Sequence, residues 1–168
     1  MRAYKAEKAA EEWLDAHKKR YFLPKQWAVR EYHGRKGRYL VPAIPSVLFI
    51  KATKAEVSQI KIGMPRLQYI MDQSVTPPMP LTVPERQMES FIAVASRAAD
   101  IDSVEFLLPD ESMPSEGTQV RILGGPFDGV IGTFKRVKGH RNRRLVVELP
   151  GLGAVSAEVR PDLVEVIR

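Results

Sequence analysis

Apolar residues recur at helical spacing near the start of the chain, where Ala6, Ala9, Ala10, Trp13, Leu14 and His17 fall at i, i+3, i+4, i+7, i+8 and i+11. Charged residues fill the other face, so the spacing predicts a helix over Lys5–His17, with His17 in a structural role at its C-terminal end. The period then changes. In Gln26-Trp27-Ala28-Val29-Arg30-Glu31-Tyr32, Trp27, Val29 and Glu31 alternate with Ala28, Arg30 and Tyr32, as in a strand. His33-Gly34-Arg35-Lys36-Gly37-Arg38 contains glycines and no apolar residue, which predicts a hairpin tip, and Tyr39-Leu40-Val41 is the return strand. The uninterrupted apolar run Val47-Leu48-Phe49-Ile50 suits a central strand buried on both faces.

Thr53-Lys54-Ala55-Glu56 is a capping box, in which the threonine oxygen and the glutamate carboxylate each satisfy a free backbone N–H. It predicts a second helix that runs to about Ile62 and stops at Gly63. Leu67–Met71 reads as a further strand. After the proline-rich Thr76–Pro80, a second box, Thr82-Val83-Pro84-Glu85, opens a third helix with Met88, Phe91, Ile92, Ala95 and Ala99 on its apolar face.

Alternation returns in the last third. Val120 and Ile122 lead into Gly124-Gly125-Pro126-Phe127-Asp128-Gly129, and Val130 and Phe134 follow it. Glycine tolerates positive φ and proline presets φ, so this hexapeptide predicts a tight connection between two strands. Leu145–Leu149, Ala154–Val159 and Leu163–Ile167 supply three more strands, and five short strands predict a compact β-barrel. The β-branched block at Leu145–Leu149 predicts a constitutive β fold with no helical alternative.

Charge divides the chain further. The formal net charge is +6 and the pI about 9.6, compatible with polyanionic partners. Lys18–Arg38 holds eight Lys or Arg against Glu31 alone, and Lys135–Arg144 holds six with no acid. Asp100–Glu116 reverses this, with six acids and no base. The stretch around Asp110-Glu111-Ser112-Met113-Pro114-Ser115 is therefore the expected linker. The expected division is a first domain over 1–100, an acidic linker over 101–115 and a β-barrel over 116–168. The whole is α+β: an N-terminal antiparallel sheet flanked by helices, then a small five-stranded barrel.

Chemistry is sparse. There is no cysteine, which fits a cytoplasmic setting, and no apolar run approaches the ~20 residues that span a bilayer, so no membrane partner is expected. The histidines lie on a helix end, a hairpin tip and a barrel loop, and neither a phosphate loop nor a metal-spaced pair is present. No catalytic residue, metal ligand or cofactor is expected. The basic segment Lys135, Arg136, Lys138, Arg141, Arg143 and Arg144 is a candidate for sequence-independent RNA contact, since it has charge but no aromatic residue to stack on bases.

Glu116-Gly117, Val120-Arg121-Ile122, Gly125-Pro126-Phe127-Asp128-Gly129, Gly132 and Leu145-Val146-Val147 together resemble the KOW motif of transcription factors and ribosomal proteins. Ala6-Glu7-Lys8-Ala9, Tyr21-Phe22-Leu23-Pro24, the basic hairpin and Pro42-Ala43-Ile44-Pro45-Ser46-Val47-Leu48-Phe49-Ile50 resemble the N-terminal domain of the NusG family. The last of these matches the family's Pro-x-Phe-Pro-Gly-Tyr-x-Phe-Val strand. The resemblance covers nearly the whole chain and implies an SH3-like KOW barrel and a monomer. It also implies a transcription elongation or antitermination factor that binds the clamp of RNA polymerase, with Tyr4, Ile44, Val47, Phe49 and Tyr69 as the candidate polymerase patch. Arg30, Arg35, Lys36 and Arg38 become candidate contacts to upstream or non-template DNA, or to polymerase itself.

The chain departs from the family pattern in three places. Only Met1-Arg2-Ala3-Tyr4 stands where the family has a Trp-Tyr strand, so either the start lies upstream or the sheet lacks part of a strand. Ile44, Ser46 and Val47 replace Phe, Gly and Tyr. The family's barrel loop Ile-Phe-Gly-Arg, which meets a small-subunit ribosomal protein and the termination factor Rho, is here Pro150-Gly151-Leu152-Gly153, without aromatic or arginine. Leu152 and Phe127 are the candidate partner-binding residues of the barrel, and Phe127 also suits packing. These departures point to a specialised paralogue. The alternative is a ribosome- or RNA-binding KOW protein that does not act on polymerase.

Overall fold

The computed structural model describes residues 1–109 and 117–167. In chain order these form α1 (Glu7–Ala16), β1 (Arg20–Phe22), β2 (Lys25–Tyr32), β3 (Arg35–Pro42), β4 (Phe49–Lys51), α2 (Lys54–Gly63), β5 (Met71–Asp72) and β6 (Met79–Pro80). Then come α3 (Glu85–Ala95), β7 (Glu105–Leu107), β8 (Thr118–Ile122), β9 (Ile131–Arg136), β10 (Arg143–Leu149), β11 (Gly153–Ala157) and β12 (Val164–Val166). Contacts group them into two units, Met1–Pro24 with Pro42–Thr82, and Lys25–Val41 with Val83–Arg168.

In the first unit the stripe of α1 narrows to Ala10 and Leu14, which meet Ala3, Leu23, Leu48, Ile60 and Leu67 in one core, and Ala6 is buried at the helix N-cap. Each fully buried leucine or isoleucine contributes roughly 1.5–3 kcal/mol, so this cluster outweighs the surface ion pairs around it. The helix ends at Ala16, and His17 stacks on Trp13 with ring centroids 3.8 Å apart, in keeping with a structural role. Gly63 gives Trp13 its space, because a Cβ there would lie 2.2 Å from Cζ2 of the indole.

The run Val47–Ile50 is not a central strand. β4 begins at Phe49 and pairs antiparallel with β1, Phe22 opposite Phe49, which leaves Phe49 and Ile50 half-buried. The preceding residues pair elsewhere: Arg2 bridges both Val47 and Gln68, and the Met1 amino group donates to Leu48 O at 2.7 Å. Met1-Arg2 thus occupies the middle place between two segments. For the same reason Leu67–Met71 is no continuous strand: Leu67 turns into the core, Gln68 serves the bridge, and only Met71–Asp72 forms a ladder, with β6. In place of one N-terminal sheet there are separate two-stranded pairings, β1 with β4, β2 with β3 and β5 with β6.

The box at Thr53 forms as expected. Thr53 Oγ1 accepts from Glu56 N at 3.3 Å, and Glu56 Oε2 accepts from Thr53 N at 2.8 Å. The box at Thr82 does not form, because α3 starts at Glu85 with Pro84 as its N-cap, too late for Glu85 to stand at the third helical position. The buried face of α3 is accordingly Phe91, Val94 and Ala95, while Met88 and Ile92 are half-buried and Ala99 is exposed beyond the helix.

The second unit is built on an antiparallel sheet of order β12-β8-β9-β10-β11-β7, six strands where five were expected. The sixth comes from the acidic stretch. Glu105–Leu107 pairs with β11, Phe106 opposite Val155, while the linker segment Asp110–Ser115 and Glu116 lie outside the described residues. α3 packs across β9, β10 and β11, and Phe91 meets Phe106 edge to face at 6.4 Å.

Removing the one formed box is a local test. Thr53→Ala is expected to cost about 1 kcal/mol in urea unfolding. The Thr53 backbone and hydroxyl donors hold the Glu56 carboxyl below the usual glutamate range. Because the folded-state pKa is depressed, this stabilisation is complete above the ordinary value and is lost as pH falls through the lowered one. In Thr53→Ala the Glu56 carboxyl, followed by NMR titration, is expected to move back toward its ordinary value.

Candidate functional site

In the first unit the patch residues separate by burial. Tyr4 is 57% exposed, Phe49 and Tyr69 are half-buried, and Ile44 and Val47 are buried core residues. Ile44 and Val47 therefore offer no surface, because Val47 faces the core beside the Arg2 bridge and Ile44 accepts the Val47 N–H through its carbonyl at 3.2 Å in a tight turn. The accessible aromatics carry cations. Arg2 lies over the Tyr4 ring at 5.9 Å and Lys61 over Tyr69 at 4.3 Å. Ile62, expected at the end of α2, is highly exposed in the helix's last turn.

In the second unit the hairpin tip is only two residues long. His33 and Gly34 both have positive φ, +51° and +74°, as a tight hairpin turn with two left-handed residues requires. Arg35-Lys36-Gly37-Arg38 therefore belongs to β3, where the sequence reading had a loop. Contacts sort the side chains by face. Arg38 lies over the Trp27 ring at 5.3 Å, and the Trp27 indole N–H donates to Ala99 O at 3.1 Å, which ties the hairpin to the turn after α3. Tyr32 and Tyr39 meet edge to face at 5.0 Å, and the Tyr39 ring covers Gly37, where a Cβ would lie 2.8 Å from it. Arg30, Arg35, Lys36 and Arg38 are all exposed.

In the connection between β8 and β9 Gly124, Gly125 and Gly129 all take positive φ, and Asp128 Oδ1 accepts the Gly124 N–H at 2.5 Å. Ile122 and Val130 then close the connection, with Ile122 N donating to Val130 O at 3.0 Å. Phe127 is buried beneath this turn and serves packing. Leu152 is 8% exposed, so neither of these two candidate partner residues presents a side chain to solvent. Next to Leu152, β7 closes over Gly153. Its Leu107 O would lie 2.5 Å from a Cβ at Gly153, whose φ is +127°, so the loop's end is covered in cis.

The register of β9, β10, β11 and β7 puts Lys135, Arg144, Glu148, Ser156 and Glu105 on one face of the sheet. There they pair with one another. Lys135, 5% exposed, binds Glu148, and Arg144, 4% exposed, donates through Nε to Ser156 Oγ at 3.0 Å. The Arg144 guanidinium also donates to the Ser103 carbonyl and lies 3.4 Å from His140 Nδ1. His140 Nε2 in turn is 2.7 Å from Glu105 Oε2. Lys135 and Arg144 are consequently structural cations. Arg136, Lys138, Arg141 and Arg143 are the exposed cations of this segment. The Arg144–His140–Glu105 cluster escaped sequence reasoning because Glu105 comes from the stretch read as linker, although Phe106-Leu107-Leu108 was an apolar signal for a strand there.

Among the described residues no group of three or more His, Asp or Glu is arranged to hold a metal ion, and no helix is long and apolar enough to cross a membrane.

Removing a buried charge strands its partners, so Arg144→Met is expected to lower unfolding free energy by about 3 kcal/mol. Arg141→Ser and Arg143→Ser are expected to change it by less than about 0.5 kcal/mol in the same urea titrations. Equal effects from all three would contradict the division between structural and surface cations.

No family model and no curated protein matches the chain. Among solved structures, one reporting domain interaction in Thermotoga maritima NusG aligns with 100% of this chain and 94% of that chain, at 18% sequence identity and a TM-score of 0.43.

Proposed function

We propose that the chain is a transcription elongation or antitermination factor of the NusG kind, a binding module without catalysis that holds RNA polymerase through its first unit. The observation that carries this reading is the placement of Tyr4, Phe49 and Tyr69. All three retain accessible surface, and the Arg2 bridges to Val47 and Gln68 make the segments that bear them neighbours. Aromatic residues are favoured anchors of protein interfaces because they bury large, rigid area. The positions are those at which the sequence resemblance puts the polymerase patch, now without Ile44 and Val47.

On this reading the strands β8 to β12 act as an SH3-like KOW barrel that recruits a second partner. With Leu152 buried and aromatic and arginine absent from Pro150–Gly153, that partner meets a surface other than the family's usual loop. The hairpin cations Arg30, Arg35, Lys36 and Arg38 face nucleic acid or an acidic surface of polymerase. The second reading, an RNA-binding KOW protein, is favoured by the exposed cations Arg136, Lys138, Arg141 and Arg143.

Retention of purified RNA polymerase by the immobilised full chain separates the two. The first reading predicts retention at micromolar concentration, and a loss of about fivefold or more in affinity for Tyr4→Ala or Tyr69→Ala. No retention, together with salt-sensitive RNA binding that Arg141→Ser and Arg143→Ser weaken, would favour the second.

A further inference from the structure

We propose that the tyrosine side of the β2–β3 hairpin is a binding site for single-stranded nucleic acid, in which a base stacks on Tyr32 and Tyr39 and the flanking guanidinium groups of Arg30 and Arg35 hold phosphates. The inference deepens the reading of the hairpin as a nucleic-acid contact and does not depend on polymerase binding. Three observations carry it. Tyr32 and Tyr39 are 54% and 40% exposed although they are paired, so the pair leaves aromatic surface in water that no other described element covers. The pair is held in place before any ligand arrives: Tyr39 lies against the Gly37 backbone, and Trp27 anchors the hairpin to Ala99 from the opposite side of β2. Finally, the segment Lys25–Val41 carries Lys25, Arg30, Arg35, Lys36 and Arg38 against Glu31 alone.

The combination selects the ligand. A patch that recognised only duplex phosphates would need placed cations and no exposed rings. A protein partner would have to be strongly acidic and apolar in the same place. A single strand offers both a π-face at each nucleotide and a regular phosphate charge, which matches a ring pair with guanidinium groups beside it. Alternation along β2 puts Arg30 and Tyr32 on the same side, and Arg35 starts β3 across the two-residue turn, so the cations border the rings. Stacking tolerates any base, so the site is expected to show little sequence preference. DNA and RNA strands share the chemistry, and only the 2′-hydroxyl distinguishes them.

The test is fluorescence anisotropy of the purified full chain with labelled 12-nucleotide oligo(dT) and oligo(U), and with a DNA duplex of the same length, in the absence of polymerase. Expected is tighter binding to a single strand than to the duplex, an about tenfold loss for Tyr32→Ala or Tyr39→Ala, and near-complete retention in Tyr32→Phe and Tyr39→Phe. Arg30→Gln and Arg35→Gln are expected to weaken binding and to flatten its salt dependence. Thermal melts of each variant separate lost folding from lost binding. Preference for the duplex, alanine variants as tight as the parent, or no binding to either strand at low salt would overturn the proposal. Because polymerase is absent, each of these outcomes leaves polymerase retention to be judged by itself.

Discussion

Burial of the Arg144 guanidinium is the constraint on which the second unit depends. An ionised group taken out of water is costly unless its donors are matched, and here the matching groups come from four separate places: Ser156 on β11, the Ser103 carbonyl before β7, His140 in the β9–β10 connection and Glu105 on β7. The charge is therefore satisfied only when β7 is docked and that connection is folded. Docking β7 has a second effect, since it covers the edge of β11 and the end of the Pro150–Gly153 loop. Sheet edges invite pairing with other chains, and this one is already filled in cis.

The same constraint sorts the chain's cations. Lys135 and Arg144 are bound within the sheet, whereas the hairpin's Arg30 and Arg35 are exposed beside an exposed tyrosine pair. Sequence alone gave both segments the same appearance, a dense basic run. They differ in what lies opposite: carboxylates and a serine across the sheet in one case, aromatic rings in the other. Charge density by itself therefore says little about partners until the register is known.

Much of the fold was legible because its signals are local. The stripe of α1, the capping box at Thr53, and the positive-φ glycines flanking Phe127 each depend on residues within a few positions of one another. The errors arose where pairing is long-range. Val47–Ile50 reads as one strand, but Met1-Arg2 claims its first half and β1 its second. Glu105–Leu107 sits in an acidic stretch and becomes a strand only because β11 offers an edge and Arg144 a charge. The candidate site suffered in the same way at Val47, whose burial goes with its bridge to distant Arg2. The exposed tyrosines were legible as strand residues, but their pairing across Gly37 was not.

Both binding surfaces can be read at once by photocrosslinking in a reconstituted elongation complex, with a photoreactive residue at position 69, 39 or, as a control, exposed Glu158. Position 69 is expected to capture polymerase and position 39 single-stranded nucleic acid, both well above position 158. Crosslinks from 69 and 39 no stronger than those from 158 would contradict both assignments.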